Sequence, residues 1–181
     1  MHSIAIIALC IASAIFYGIV HDQITARVCV EYFTVFHTPI GTDDPTLLGL
    51  YWGVAATWWV GVLLGVPLAI AARAGSRRRR DARSLVRPIA ILLVVMALSA
   101  TIAGVIGWLI IGEGGGILAK GPDRRIPLEK EAAFVADLFA HNASYLVGFV
   151  GGIVVIVQVW WSRGPAGSLN SPAGLTGHDT N

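Results

Sequence analysis

Four apolar runs free of charged residues dominate this chain: Ser3–Val20, Leu47–Ala72, Ile89–Ile111 and Ala143–Trp161. Each reaches the ~18 residues at which a hydrophobic stretch becomes a candidate membrane span. Hydrocarbon offers no partner to a backbone N–H or C=O, so a run that crosses it must satisfy those groups internally, as a helix does. Composition agrees. Charged residues make up 13% of the 181 and the mean hydropathy is +0.71, whereas a soluble domain carries about 25% charged residues. The expected fold is all-α: a polytopic membrane protein, with a four-helix transmembrane domain over residues 1–161, spans near 3–20, 47–72, 89–111 and 143–161, and an amphipathic outer extension of the last helix. Residues 162–181, rich in Gly, Ser, Pro and Asn, read as a disordered cytoplasmic tail.

Ala12-Ser13-Ala14 fits a signal-peptidase pattern, but no Lys or Arg precedes the first run, and the run continues past Ala14 to Val20. It therefore reads as a retained anchor. Orientation comes from the arginines. Arg73, Arg77, Arg78, Arg79, Arg80, Arg83 and Arg87 crowd the short connection between the second and third runs. The positive-inside rule places that connection, Arg163 and both termini in the cytoplasm. A net charge of +2, without aromatic–basic interleaving, gives no sign of nucleic-acid binding. Cys10 and Cys29 form no disulfide framework or metal motif.

Local signals punctuate the runs. Asp43 or Asp44 can cap the second helix, with Pro45 at its start. Pro88 suits the first turn of the third, and Pro67 should bend the second. Gly49/Gly53, Gly61/Gly65 and Gly148/Gly152 are GxxxG pairs. Such pairs bring helices close in lipid, with the partner helix in this chain or another. The glycine triplet Gly114–Gly116 lacks the strand and GK[ST] of a phosphate loop. Residues 24–38 mix β-branched and aromatic side chains and read equally as helix or extended chain. If helical, Arg27 would pair with Glu31 one turn on.

The polar residues that carry chemistry gather at the outer ends of the first and last runs. His21 and Asp22 close the first. Asp137 and His141, four residues apart on one helix face with Tyr145 a further turn along, open the last. In a small antiparallel bundle the two groups stand at similar depth and can be neighbours. Two imidazoles and two carboxylates are a transition-metal donor set; they are equally a buried hydrogen-bonded network or a proton-handling group. His21, Asp22, Asp137 and His141 are the metal candidates, with Glu31, His37 and Tyr145 as outlying polar candidates. Ser144 with His141 and Asp137 has the composition of a hydrolase triad, but no oxyanion-hole element accompanies it, and no catalytic residue is assigned. The leading reading is a non-enzymatic accessory or structural membrane component in contact with lipid. A metal- or haem-binding redox subunit and a small transporter or channel subunit are the alternatives.

The block "HDQITARVCVEYFTVFHTPI", followed by "DPTLLGLYWGVAATWWVGVLLGVPLAIAARAG", resembles a group of uncharacterised bacterial four-span integral membrane proteins. The group pattern is HDQxTxxVxxEYFTxxHxP after the first span and D-x3-H-x2-SY at the start of the last. It falls here on His21, Asp22, Gln23, Thr25, Val28, Glu31, Tyr32, Phe33, Thr34, His37 and Pro39, then on Asp137, His141, Ser144 and Tyr145. The resemblance implies a bacterial inner-membrane setting and no mechanism.

Overall fold

The structure, a computed structural model, describes residues 2–112 and 126–164. It is all-α: α1 His2–Val28, α2 Val30–Val35, α3 Pro45–Ala55, α4 Trp58–Arg73, α5 Ala82–Ile111, a short 3-10 turn Leu128–Lys130, and α6 Glu131–Trp161. Among the described residues, four helical stretches are long and apolar enough to cross a membrane: His2–Val28, Pro45–Arg73, Ala82–Ile111 and Leu128–Trp161. The glycine triplet and the C-terminal tail beyond Gly164 lie outside the described residues.

Each helix overruns its apolar run, because a run marks hydrocarbon while a helix continues into polar sequence. The first helix carries His21, Asp22, Gln23 and Arg27 before it breaks at Cys29, whose backbone is extended. Residues 30–35 resume as a short helix. The break cancels the expected i,i+4 pair. Arg27 instead bonds Gln23 Oε1 at 2.8 Å and Thr46 Oγ1 at 2.8 Å, while Glu31 accepts from the Cys29 thiol at 3.3 Å. The second span is interrupted at Ala56–Thr57, where the Thr57 hydroxyl bonds back to the Gly53 carbonyl. Hydroxyls bonding back in this way bend helices. At Pro67 α4 runs on unbroken.

Asp44 is the cap of α3, accepting from the Thr46 and Leu47 backbone N–H groups at 2.8 and 2.9 Å, with Pro45 first in the helix. Removing it by Asp44→Ala should cost about 1 kcal/mol, read as a lower unfolding midpoint in detergent. The third long helix starts earlier than Pro88 suggests. Asp81 caps it, accepting from the Ser84 N–H at 3.0 Å, and Pro88 falls inside. The cap satisfies an orphan N–H, and so sets the start ahead of the proline.

Packing follows the glycines. A Cβ on Gly49 would stand 3.0 Å from the Asp22 backbone, on Gly53 2.6 Å from Ile19 Cα, and on Gly61 2.6 Å from Ile11 Cα. Those two GxxxG faces therefore seat α1 of the same chain, backbone against backbone. Gly148 and Gly152 receive Met96 and Leu64 side chains. Meanwhile α5 runs closely along α6, where Gly107 meets the Val135 carbonyl and Phe139. The bundle is thus two closely packed halves, α1 with α3 and α4, and α5 with α6, which meet more sparsely. The first part of α6, expected as an amphipathic extension, is largely interior: Phe134, Val135, Ala136, Asp137, Ala140 and His141 are buried. Trp58 and Trp59 point outward, about half exposed, as lipid-facing side chains do.

Two apolar clusters stack along the bundle. One, around Ile6, Leu68, Leu85, Ile89 and Val155, fills the arginine-rich half. The other, around Ala26, Tyr32, Phe33, Leu48, Ile126 and Phe134, closes the far end, with α2 supplying Tyr32 and Phe33 and α6 supplying Phe134.

Candidate metal centre

His21, Asp22 and His141 converge near the far end. One donor atom from each lies within 4.8 Å of the others. Asp22 and His141 are each 6% exposed. Helix α1 delivers His21 and Asp22 because glycines at 49 and 53 let α3 press it close. Helix α6 delivers His141 from the other half of the bundle.

The His141 ring is fixed at both nitrogens. Nδ1 lies 2.8 Å from the Asp137 backbone carbonyl one turn back. A carbonyl only accepts, so Nδ1 carries the proton and donates. Nε2 then points a lone pair at Asp22 Oδ1, 3.3 Å away. Two lone pairs facing each other repel, so a positive species must stand between them: a proton or a metal cation. The distance admits both: 3.3 Å is longer than the about 2.7–2.9 Å of a charge-assisted N–H···O bond but still within hydrogen-bond reach, and it also fits a bound ion. Two ligand atoms each about 2.0–2.1 Å from a tetrahedral ion lie about 3.3–3.4 Å apart. The Nδ1–H···O=C bond is also the usual way a metal-ligating imidazole is held in its tautomer.

His21 Nε2 is buried with no hydrogen-bond partner. Its ring meets His141 edge-on, with centroids 4.6 Å apart, and stacks on Tyr17 at 5.6 Å. Buried polar atoms are almost always paired, so an orphan at this spot calls for an explanation. Tyr32 stacks on the His141 ring at 4.4 Å, and Phe33 meets it edge-on at 5.8 Å. These rings from α2 cover the His141 ring. On the other side, His21, Asp22, His141, Ser144 and Tyr145 open onto a cavity of ≈ 120 Å³ whose remaining wall is mainly apolar, with Leu64, Leu92 and Met96 among its residues. A separate, mainly apolar groove lined by α1, α5 and α6 reaches His21 and Asp137.

The other candidates take different places. Asp137 contributes its backbone carbonyl to His141; its side chain is 1% exposed, and Oδ2 has no hydrogen-bond partner. Tyr145 lines the cavity. His37 packs against Tyr32 and Trp52 with Nδ1 3.1 Å from the Tyr32 carbonyl, and Glu31 faces Cys29. Neither His37 nor Glu31 belongs to the three-residue donor group. Ser144 bonds the Tyr17 hydroxyl at 2.8 Å while His141 Nδ1 is committed to a backbone carbonyl. No triad geometry results. Tyr17 and Tyr32 were not singled out from sequence as parts of this site. Tyr17 is one turn before His21 and could have been found by helical spacing; Tyr32 is placed by the break at Cys29, which no Gly or Pro announces.

Burial and the neighbouring Glu31 push the Cys29 thiol up to about 12. The group therefore remains an unreactive thiol at neutral pH, since only the thiolate is nucleophilic. Maleimide should leave Cys29 unmodified in the folded protein at pH 8 and label it after denaturation, as mass spectrometry would show.

Comparison with protein-family models, curated proteins and solved structures finds no match for this chain.

Proposed function

We propose that this chain is a multi-pass protein of a bacterial inner membrane, with its arginine-rich end in the cytoplasm, and that it binds a transition-metal ion through His21, Asp22 and His141 near the opposite face. The observation that carries the reading is the His141 ring, whose Nδ1–H is fixed on the Asp137 carbonyl while Nε2 faces Asp22 Oδ1 at 3.3 Å, with the orphaned His21 Nε2 beside it. Two imidazoles and a carboxylate suit zinc, iron, manganese or copper ions better than calcium or magnesium. Three protein ligands leave a fourth position open. The chain then serves as a metal-carrying membrane component rather than a purely structural one.

Haem fits poorly. The two imidazole centroids, 4.6 Å apart, leave no room for a porphyrin plane between them. A transport path is also poorly supported, because the cavity below the cluster is walled mainly by apolar side chains.

The test is titration of the purified, chelator-stripped protein with Co(II), followed by visible absorption, and competition by Zn(II). One ion per chain, with d–d bands characteristic of a low-coordinate nitrogen and oxygen site, is expected. Absence of saturable binding, or binding that His21→Ala leaves unchanged, would sink the proposal.

A further inference from the structure

At the other end of the bundle the ends of all four spans surround a polar cup of ≈ 510 Å³. His2 comes from the start of α1, Arg73 from the end of α4, Ser84 from the start of α5, and Ser162 and Arg163 follow α6. Arg73, Arg78, Arg79, Arg80 and Arg163 line it, against a single carboxylate, Asp81, among the described lining residues.

That carboxylate is already engaged as the cap of α5, and the Ser84 N–H holds it below the usual carboxylate range. Arg163 is buried at 3% exposure. It spends its donors on four backbone carbonyls: Ala71, Ala74 at 2.8 Å, Arg77 at 3.1 Å and Arg78 at 2.8 Å. These bonds orient the guanidinium but do not neutralise it. Desolvation and then Arg77, Arg79, Arg73 and Arg80 all lower its affinity for its proton. A buried cation crowded by like charges wants an anion close by.

We propose that this cup binds the phosphate group of an anionic phospholipid. Arginine forks match phosphate oxygens in geometry as well as charge. Lipid is favoured over soluble phosphate by the depth of the site. A cup rimmed by the ends of four membrane-length helices lies where lipid headgroups lie. Trp160 stands beside it, with the Arg77 and Arg163 guanidinium carbons 5.3 and 5.7 Å from its ring, as an interfacial tryptophan would. Basic pockets between spans are a known mode of headgroup recognition.

The test uses the full chain in detergent, exchanged with mixed micelles of phosphatidylglycerol or phosphatidylcholine, and counts bound lipid by native mass spectrometry. We expect a preference for phosphatidylglycerol of about tenfold or more, falling at least about tenfold in Arg79→Gln/Arg80→Gln. Arg83→Gln/Arg87→Gln removes the same charge from outside the cup and should keep the preference. Arg79→Gln alone, expected to show an intermediate loss, provides the same comparison should the double variant not fold. Three results would overturn the proposal. One is no preference over phosphatidylcholine. Another is an equal loss in both double variants, which would mean diffuse charge alone. The third is full displacement of the lipid by millimolar inorganic phosphate, which would make the site one for a soluble anion.

Discussion

Gly53→Leu is expected to destroy the native bundle. A Cβ at this position would lie 2.6 Å from both the N and Cα of Ile19 and 2.8 Å from the carbonyl carbon of Gly18. Those are backbone atoms, which cannot rotate aside as a side chain can. Overpacking commonly costs about 1–3 kcal/mol, and more where nothing can yield. A leucine adds three further carbons to the same gap, so α1 must separate from α3. Because His21 and Asp22 ride on α1, the separation removes them from His141. The variant should therefore lose most of its thermal unfolding transition in detergent and its metal binding together. Gly104→Ala is the matched control. Its Cβ would sit 3.4 Å from the Ala136 carbonyl and 3.5 Å from Ala140 Cβ, both ordinary contacts. Its midpoint should stay within about 0.5 kcal/mol of wild type. A Gly53→Leu protein that unfolds like wild type would show that the α1–α3 contact is not as close as described.

The second large effect is on metal affinity. His141→Ala removes a donor and also the group that faces Asp22, leaving a buried carboxylate without its imidazole. Changes to groups that merely support a ligand cost about 10–100-fold in affinity, so loss of a ligand itself should exceed about 100-fold. Asp22→Asn should weaken binding in the same direction while conserving shape. Asp137→Ala keeps the backbone carbonyl that orients His141 and should leave Co(II) affinity within about tenfold of wild type. Isothermal titration across the three variants separates ligand from support. If His141→Ala and Asp137→Ala lose affinity equally, the ion is held by the wider acidic cluster and the three-ligand assignment fails.

Much of this architecture was legible in the residues. The four spans follow from runs without charge, and the cap at Asp44 from a short acidic residue before Pro45. That the clusters at residues 21–22 and 137–141 could be neighbours followed from antiparallel topology, since both stand at the same end of their helices. What escaped was set by local hydrogen bonding that composition hides. Asp81 starts α5 from within an arginine-rich stretch that reads as a loop, so Pro88 looked like the start. The break at Cys29 lies in a β-branched and aromatic sequence with no turn residue, and on it depend the positions of Tyr32 and Phe33 over His141. The partner of each GxxxG face was also beyond sequence, because close approach needs small residues but does not say whose backbone arrives.

The division of the bundle into two tightly packed halves has a consequence for how the protein could respond to its ion. His21 and Asp22 sit on one half and His141 on the other, across the sparsely packed seam between them. An ion there would act as a clasp, and its departure would free the two halves to part along that seam. Occupancy would then be felt as a change in how widely the bundle opens toward the bilayer, which distance measurements between spin labels on α1 and α5 would register with and without metal.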